Sequence, residues 1–464
     1  QPAGDGSGGQ PPAGQARPGR RKVLLGLAGG GLVLAAAGGA VAVRALRGSG
    51  GRGGGGRSAA LTDPARPLAT DTVARPLWTA QTGGPVTQVT GEGNAVVAVT
   101  STHVRAFDLA GEPLWEPVPN GSDPSGAYLS GDPAAVGGGL VFVVSRAGGA
   151  HQGRVLRALD LATGKEAWRV GKPDLWIRWA WIPGMLDGLV YVTGSTLPYG
   201  NLADALKGAT GGATASKAFV WAVDPAARAI RWETSVDDRS GGQSKLRVPS
   251  SGSRLLWLMA NPDGSVPRMS ALAAADGGKT LWEQPTPGGP STGLPTSYAA
   301  GFVPSWHDGP HSSADGRFLH LSDHLYAVDA ANGQVAWTSP GKTVFHTAVA
   351  GPDGRTVYAV APDHVGHVVV QAFETRGGTV RWAGTLPMAG LGAVAVQCTQ
   401  DTVYLWLQGR VWALDADTGL ARWSHEFGGS GATIGAASVA LWAHGDRVYG
   451  ATHQGLTAIA STGR

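Results

Sequence analysis

Residues Leu156–Trp168 read Leu-Arg-Ala-Leu-Asp-Leu-Ala-Thr-Gly-Lys-Glu-Ala-Trp, and Val411–Trp423 read Val-Trp-Ala-Leu-Asp-Ala-Asp-Thr-Gly-Leu-Ala-Arg-Trp. The same frame returns at Leu325–Trp337, with Asn332-Gly333 at its turn, and in weaker copies at Ala106–Trp115, Ala222–Trp232, Ala271–Trp282 and Ala372–Trp382. Counting a last, unfinished copy, the anchor alanines are Ala106, Ala158, Ala222, Ala271, Ala327, Ala372, Ala413 and Ala458, spaced 52, 64, 49, 56, 45, 41 and 45 residues apart. Strand-rich units of this period indicate a propeller or a solenoid. Each copy begins with a short apolar run such as Leu140–Val144 or Val403–Leu407, turns, and runs into the alanine strand. A Thr-Gly or Asn-Gly pair, which accepts positive φ, then leads to the strand carrying the tryptophan. Three to four short strands per unit predict antiparallel sheets. The 74 glycines and 30 prolines fit many tight turns, because apolar runs interrupt them regularly.

The ends decide between ring and open array. Leu456–Arg464 holds the alanine strand but stops before a tryptophan, whereas Pro76-Leu77-Trp78 is a tryptophan strand with nothing before it. Joined, the two halves make an eighth unit. The expectation is an all-β, eight-bladed β-propeller of four-stranded antiparallel blades, closed by a strand shared between the two ends, which protects edges that an open array exposes. A seven-bladed ring or an open array is the alternative.

The pattern Ala-x-Asp-x-x-Thr-Gly-x-x-x-Trp, as in Ala158–Trp168, resembles the tryptophan-docking repeat of PQQ-like β-propellers over about residues 76–464. The resemblance implies that each repeat tryptophan stacks on a peptide of the neighbouring repeat, giving the docking set Trp78, Trp115, Trp168, Trp232, Trp282, Trp337, Trp382 and Trp423. The fourth copy departs from the pattern, with Ala273 for Asp and one inserted residue, and the sixth has Glu374 for Asp, so contacts at those two blades are expected to differ in detail.

Ahead of the repeats, residues 1–22 are rich in Gly, Pro and Gln without an apolar period and are expected to be disordered. Val23–Val43 is uncharged for 21 residues, long enough for one transmembrane helix. Four basic residues flank it on each side, so charge does not set its orientation. Residues 44–75 are expected to form a Gly/Pro-rich flexible linker. The expected topology is a single-pass plasma-membrane protein with residues 1–22 in the cytoplasm and the propeller outside. The alternative is secretion after signal cleavage, because Arg20-Arg21-Lys22-Val23-Leu24-Leu25 resembles a twin-arginine signal and Ala40-Val41-Ala42 a cleavage motif. Residue 1 is Gln, so an upstream segment is expected. The layout resembles the rear half of an actinobacterial transmembrane Ser/Thr protein kinase, although none of the kinase motifs lies in this chain.

Residues 1–57 hold 8 basic and 1 acidic side chain, and the rest hold 29 and 32, so the repeat region is mildly acidic and nucleic-acid binding is not expected. The single Cys398 neighbours an apolar run and is read as a buried thiol. By the resemblance, a quinone-dependent dehydrogenase would carry PQQ and Ca²⁺ on the axis, a catalytic Asp and commonly a disulfide between adjacent cysteines. One cysteine excludes that disulfide, and no convincing match to the other groups is found, so neither a cofactor nor a catalytic residue is assigned. Asp108, Asp160, Asp224, Asp329 and Asp415 recur at one frame position and are read as turn residues. His307, His311, His320, His324, His364 and His367 are read as loop and strand-turn residues rather than a metal site, and the Pro-Asp-Gly turns at 262–264 and 352–354 lack the acidic density of a Ca²⁺ loop. The run Trp176-Ile177-Arg178-Trp179-Ala180-Trp181 lies outside the docking set. Trp176, Arg178 and Trp179 are the candidate recognition patch, the alternative being an ordinary core strand. The expected function is non-enzymatic: ligand sensing, or scaffolding of a protein partner.

Overall fold

The computed structural model describes residues 66–463 with interruptions, the longest at 121–133, 199–215, 288–312 and 428–440. The chain divides into residues 1–57 and 58–464, and everything described lies in the second part. The expected disordered segment and the membrane span fall outside the described residues. Among those that are described, no helix is long and apolar enough to cross a membrane.

The fold is an eight-bladed β-propeller. Seven sheets are antiparallel meanders of four strands consecutive in sequence, here blades 1–7 after their alanines Ala106 to Ala413. Blade 8 is composite: Leu441–His444, Arg447–Ala451 and Gly455–Ala460 come from the C-terminal end, and Pro76–Gln81 supplies its fourth strand. Thr79 pairs with Thr457 and Trp78 with Ala458, so the ring closes through a ladder between the two ends of the repeat region.

The repeat alanine has a steric reason. All eight anchor alanines are fully buried. In blade 3, Ala222 sits in register between Tyr191 on the second strand and Trp232 on the fourth. The two rings meet over it at 5.9 Å. Tyr358–Trp382 and Tyr404–Trp423 do the same over Ala372 and Ala413, at 6.0 Å each. A larger residue at the centre of this row would drive the aromatics apart. Among the described residues there is no single core. Eight apolar clusters lie one to each seam between neighbouring blades.

One boundary differs from the sequence expectation. Residues 66–75, expected within the flexible linker, are packed on the ring. Arg66 and Pro67 pair in parallel with Gly384 and Thr385 of blade 6, and Val73 bridges Ser424 of blade 7. Leu68 and Ala74 are buried. Their apolar side chains, which composition alone does not distinguish from linker, and backbone hydrogen bonds to blades 6 and 7 hold the segment down.

Deleting residues 455–464 removes the third strand of blade 8, to which Pro76–Gln81 is paired. The whole domain is expected to lose its cooperative melting transition, as followed by calorimetry. An unchanged transition would show that the ends do not close the ring.

Candidate functional site

The docking geometry is explicit at seven seams. The indole N–H of Trp78 donates to Leu109 O at 2.7 Å, Trp115 to Leu161 O at 3.0 Å, and Trp232 to Ala274 O at 3.0 Å. Trp282 donates to Ala330 O at 2.9 Å, Trp337 to Thr375 O at 2.6 Å, Trp382 to Ala416 O at 2.9 Å, and Trp423 to Ser461 O at 2.8 Å. In every case the acceptor belongs to the turn of the following blade, and the ring lies flat on that turn's glycine. A Cβ on Gly111, Gly164, Gly278, Gly333, Gly378, Gly419 or Gly463 would stand 2.4–2.7 Å from the docked indole, closer than real Cβ contacts. The fourth and sixth repeats, with Ala273 and Glu374 in place of Asp, keep the contact in full. The backbone carbonyl and glycine make it, and the Asp side chain takes no part.

The eighth seam is different. Trp168 is buried against Phe142 of its own blade and in the cluster shared with blade 3. The turn that faces it in the frame, Asp224–Arg228, carries Arg228 where the other blades have glycine. Arg228 adopts the left-handed conformation at φ 54°, uncommon for a residue with a Cβ. Among the described residues, seven of the eight indoles have a carbonyl acceptor, and Trp168 is the one without. The missing glycine is visible in the sequence once the frame is written over Ala222–Trp232.

Two further donors escape the sequence pattern. Arg317 Nη1 reaches Thr375 O at 3.2 Å, and Arg447 Nη1 reaches Leu109 O, so the carbonyls docked by Trp337 and Trp78 each accept a second, charged donor. Both arginines open the second strand of their blade, a position that a strand reading treats as an edge.

The repeat aspartates are occupied by their own turns. Asp160 Oδ1 accepts from the Thr163 amide and hydroxyl at 2.8 and 2.7 Å, and these bonds hold its carboxyl below the ordinary range. Asp108, Asp224 and Asp329 accept from turn amides in the same way. At Asp415, burial pushes the carboxyl up, but Arg422 at 2.7 Å with the Thr418 hydroxyl and amide outweighs it and brings it down to about 2. None of these carboxylates is placed as a general base.

The recognition candidates lie on blade 3. Its strands Leu175–Leu186, Leu189–Pro198, Ser216–Asp224 and Ala229–Asp238 are 12, 10, 9 and 10 residues long, whereas among the described residues no strand of another blade exceeds 8. Trp176, Arg178 and Trp179 sit in the first half of its first strand, where Trp176 pairs with Leu197 and Trp179 with Ser195. The structure describes their backbone only. Trp181, partly buried, pairs with Thr193 and shares a sheet face with Tyr191, the face packed on blade 4. Of residues 199–216, between its second strand and its third, only Ser216 is described. His307, His311 and His364 lie outside the described residues. Among those described, no group of three His, Cys, Asp or Glu side chains could hold a metal ion. Cys398 is buried, and its thiol points at Ala350 O at 3.4 Å. Burial, with a smaller contribution from Asp353, pushes it up to about 12, so it carries no thiolate at neutral pH.

Residues 262–464 match the family model described as outer membrane protein assembly factor BamB. The match covers the C-terminal part of the repeat region. No curated protein matches the sequence. Among solved structures, BamB from Moraxella catarrhalis is similar at 15% identity and a TM-score of 0.50, covering 83% of this chain and 97% of its own. The quinohemoprotein alcohol dehydrogenase of Comamonas testosteroni is similar at 14% identity and a TM-score of 0.53, covering 85% and 77%. The computationally designed Ika8 protein is similar at 13% identity and a TM-score of 0.53, covering 82% and 98%. At these identities the likeness is one of fold. An assembly factor, an oxidoreductase and a designed protein share it, so the fold by itself chooses no function.

Two predictions test this geometry. Gly419→Ala places a Cβ 2.5 Å from Trp382 at φ +68°, whereas Gly93→Ala at φ +58° meets nothing within 4 Å. The first is expected to cost about 3 kcal/mol, from backbone strain plus overpacking, and the second about 1 kcal/mol, from strain alone, in urea denaturation. Equal losses would mean that the indole does not hold the turn. For Asp415, the folded carboxyl lies below its ordinary 3.8, so its stabilisation is complete above about pH 4 and is lost as pH falls through about 2. Asp415→Asn keeps an oxygen for the Thr418 turn but not the charge. It is expected to melt lower than wild type at pH 7 and to lose less stability between pH 4 and 2, a difference readable in paired thermal melts.

Proposed function

We propose that this protein is a non-enzymatic, extracytoplasmic PQQ-like propeller that scaffolds or senses a protein partner, with blade 3 as its recognition element. The observation that carries this reading is the length of blade 3. Among the described residues its four strands outrun those of every other blade, and the first of them bears Trp176, Arg178 and Trp179. Tryptophan and arginine are the residue types that dominate the binding energy of protein interfaces. Support also comes from what the repeats leave unspent. Among the described residues, the repeat aspartates are held by their turns, seven docking indoles by the seams, and the thiol is buried.

The family model that matches residues 262–464 is described as an assembly factor, which fits a scaffold. The dehydrogenase of similar fold makes redox chemistry the competing reading. It requires dye-linked activity after addition of PQQ and Ca²⁺, and none is expected. The membrane tether rests on the uncharged stretch Val23–Val43, and the outside location on the size of the domain behind it. Protease added to intact cells of the native host is then expected to release the propeller.

The recognition patch is tested by separating folding from binding. Trp423→Ala removes a docked, buried indole and is expected to cost about 3–5 kcal/mol. Trp176→Ala and Trp179→Ala are expected to melt within about 1 kcal/mol of wild type, as exposed substitutions do. In cells they are expected to abolish whatever crosslinked adduct the wild-type propeller forms. Losses at the two patch positions equal to that at Trp423 would place the patch in the core and remove the reading.

A further inference from the structure

The packed segment 66–75 does more than extend the ring. Its Leu68 belongs to the apolar cluster of the seam between blades 6 and 7, and its Ala74 to that of the seam between blades 7 and 8. Between these two plugs the backbone runs along the outer edge of blade 7. Leu68 N donates to Thr385 O at 2.8 Å, Ser424 N to Thr72 O at 2.9 Å, and Ala74 N to Ser424 O at 2.9 Å. Thr70 Oγ1 donates to Arg422 O at 3.2 Å, and His425 Nδ1 lies 2.7 Å from Ala74 O. Leu68 fills a socket that exists because residue 384 is glycine, where a Cβ would stand 2.6 Å from Leu68 Cδ1.

We propose that the outer edge of blades 6 and 7 is a binding groove for an extended peptide segment, filled here in cis by residues 66–75. Its partner is an extended protein segment with a leucine followed six residues later by a small residue. Most of the holding bonds run to backbone atoms, so they accept any sequence, and the Gly384 socket and the Ala74 seat supply the selectivity. The cis segment is thinly held: a two-residue parallel ladder, one bridge, and Val73 69% exposed between the plugs. The strand that follows it, Pro76–Gln81, carries a full antiparallel ladder. The segment can therefore leave the groove while the ring stays closed, and the two freed edges then offer the same acceptors to a second chain.

The full chain tests this in two ways. In native-state hydrogen exchange, the amides of Leu68 and Ala74 are expected to exchange at least about a hundredfold faster than those of Gly455–Ala460, through an opening that leaves the ring intact. Exchange of both sets together, at the rate of global unfolding, would overturn the proposal. In the second test, Leu68→Asp empties the cis socket, and a fluorescent peptide of residues 64–75 is added. The variant is expected to bind the peptide at least about tenfold tighter than wild type, and adding Gly384→Val is expected to abolish that binding. Equal binding by wild type and Leu68→Asp, or binding that survives Gly384→Val, would overturn it. A wild-type dimer that dissociates on Leu68→Asp would give the groove to a second copy and overturn the partner reading.

Discussion

The whole ring depends on one contact: an indole laid flat on the glycine of the next blade's turn, its N–H given to that turn's carbonyl. A buried indole contributes a large apolar area but carries a donor that must be satisfied. A tight turn exposes carbonyls that its own hydrogen bonds leave free. Each group answers the other's need across a seam where no strand ladder runs. Glycine is required twice, for the backbone conformation and for the close approach, and that double demand makes the Gly and the Trp of different repeats appear together in the sequence.

Because the apolar clusters lie between blades, no blade buries its own faces. Each depends on both neighbours, as in other repeat proteins, but a ring has no terminal unit to cap. The two end strands stand where caps would be. Blade 8 takes its fourth strand from the start of the repeat region, Trp423 of blade 7 docks on Ser461, and Trp78 docks on Leu109 of blade 1. Closure is thus made by the same contact that joins blades in the middle of the chain, and the strap over blades 6 and 7 adds to a ring already closed.

The blade number, the composite blade and seven of the eight docking indoles are legible in the sequence because they rest on local pairs with fixed spacing. Trp423 lies ten residues after Ala413, and the strand register across Ala413 follows from that spacing. The packing of Leu68 and Ala74 is not legible. It depends on where the outer edges of blades 6 and 7 stand in space, some 300 residues later in the chain, and two small apolar residues in a Pro-containing stretch carry no period. The seam arginines Arg317 and Arg447 escape for the same reason, since their acceptors lie on the next blade. The rule that Asp marks the turn misled in the fourth and sixth repeats: Ala273 and Glu374 break the motif without weakening the contact, because a carbonyl and a glycine make it.

Departures from the frame say more about function than obedience to it. A repeat that is obeyed explains only the ring, and a natural chain that breaks its own rule commonly does so where something other than folding is selected. Here the breaks gather at one blade. Among the described residues, blade 3 alone carries Arg228 where the other turns have glycine, follows the one docking indole without a carbonyl acceptor, and has the longest strands. Holding Arg228 in the left-handed region costs on the order of 1 kcal/mol, which a glycine would have spared. The strand bearing Trp176, Arg178 and Trp179 follows directly on Trp168, across the same seam. Blade 3 thus lacks a docking contact among the described residues while its described strands gain length and tryptophans, which is the physical ground on which the recognition element is proposed there.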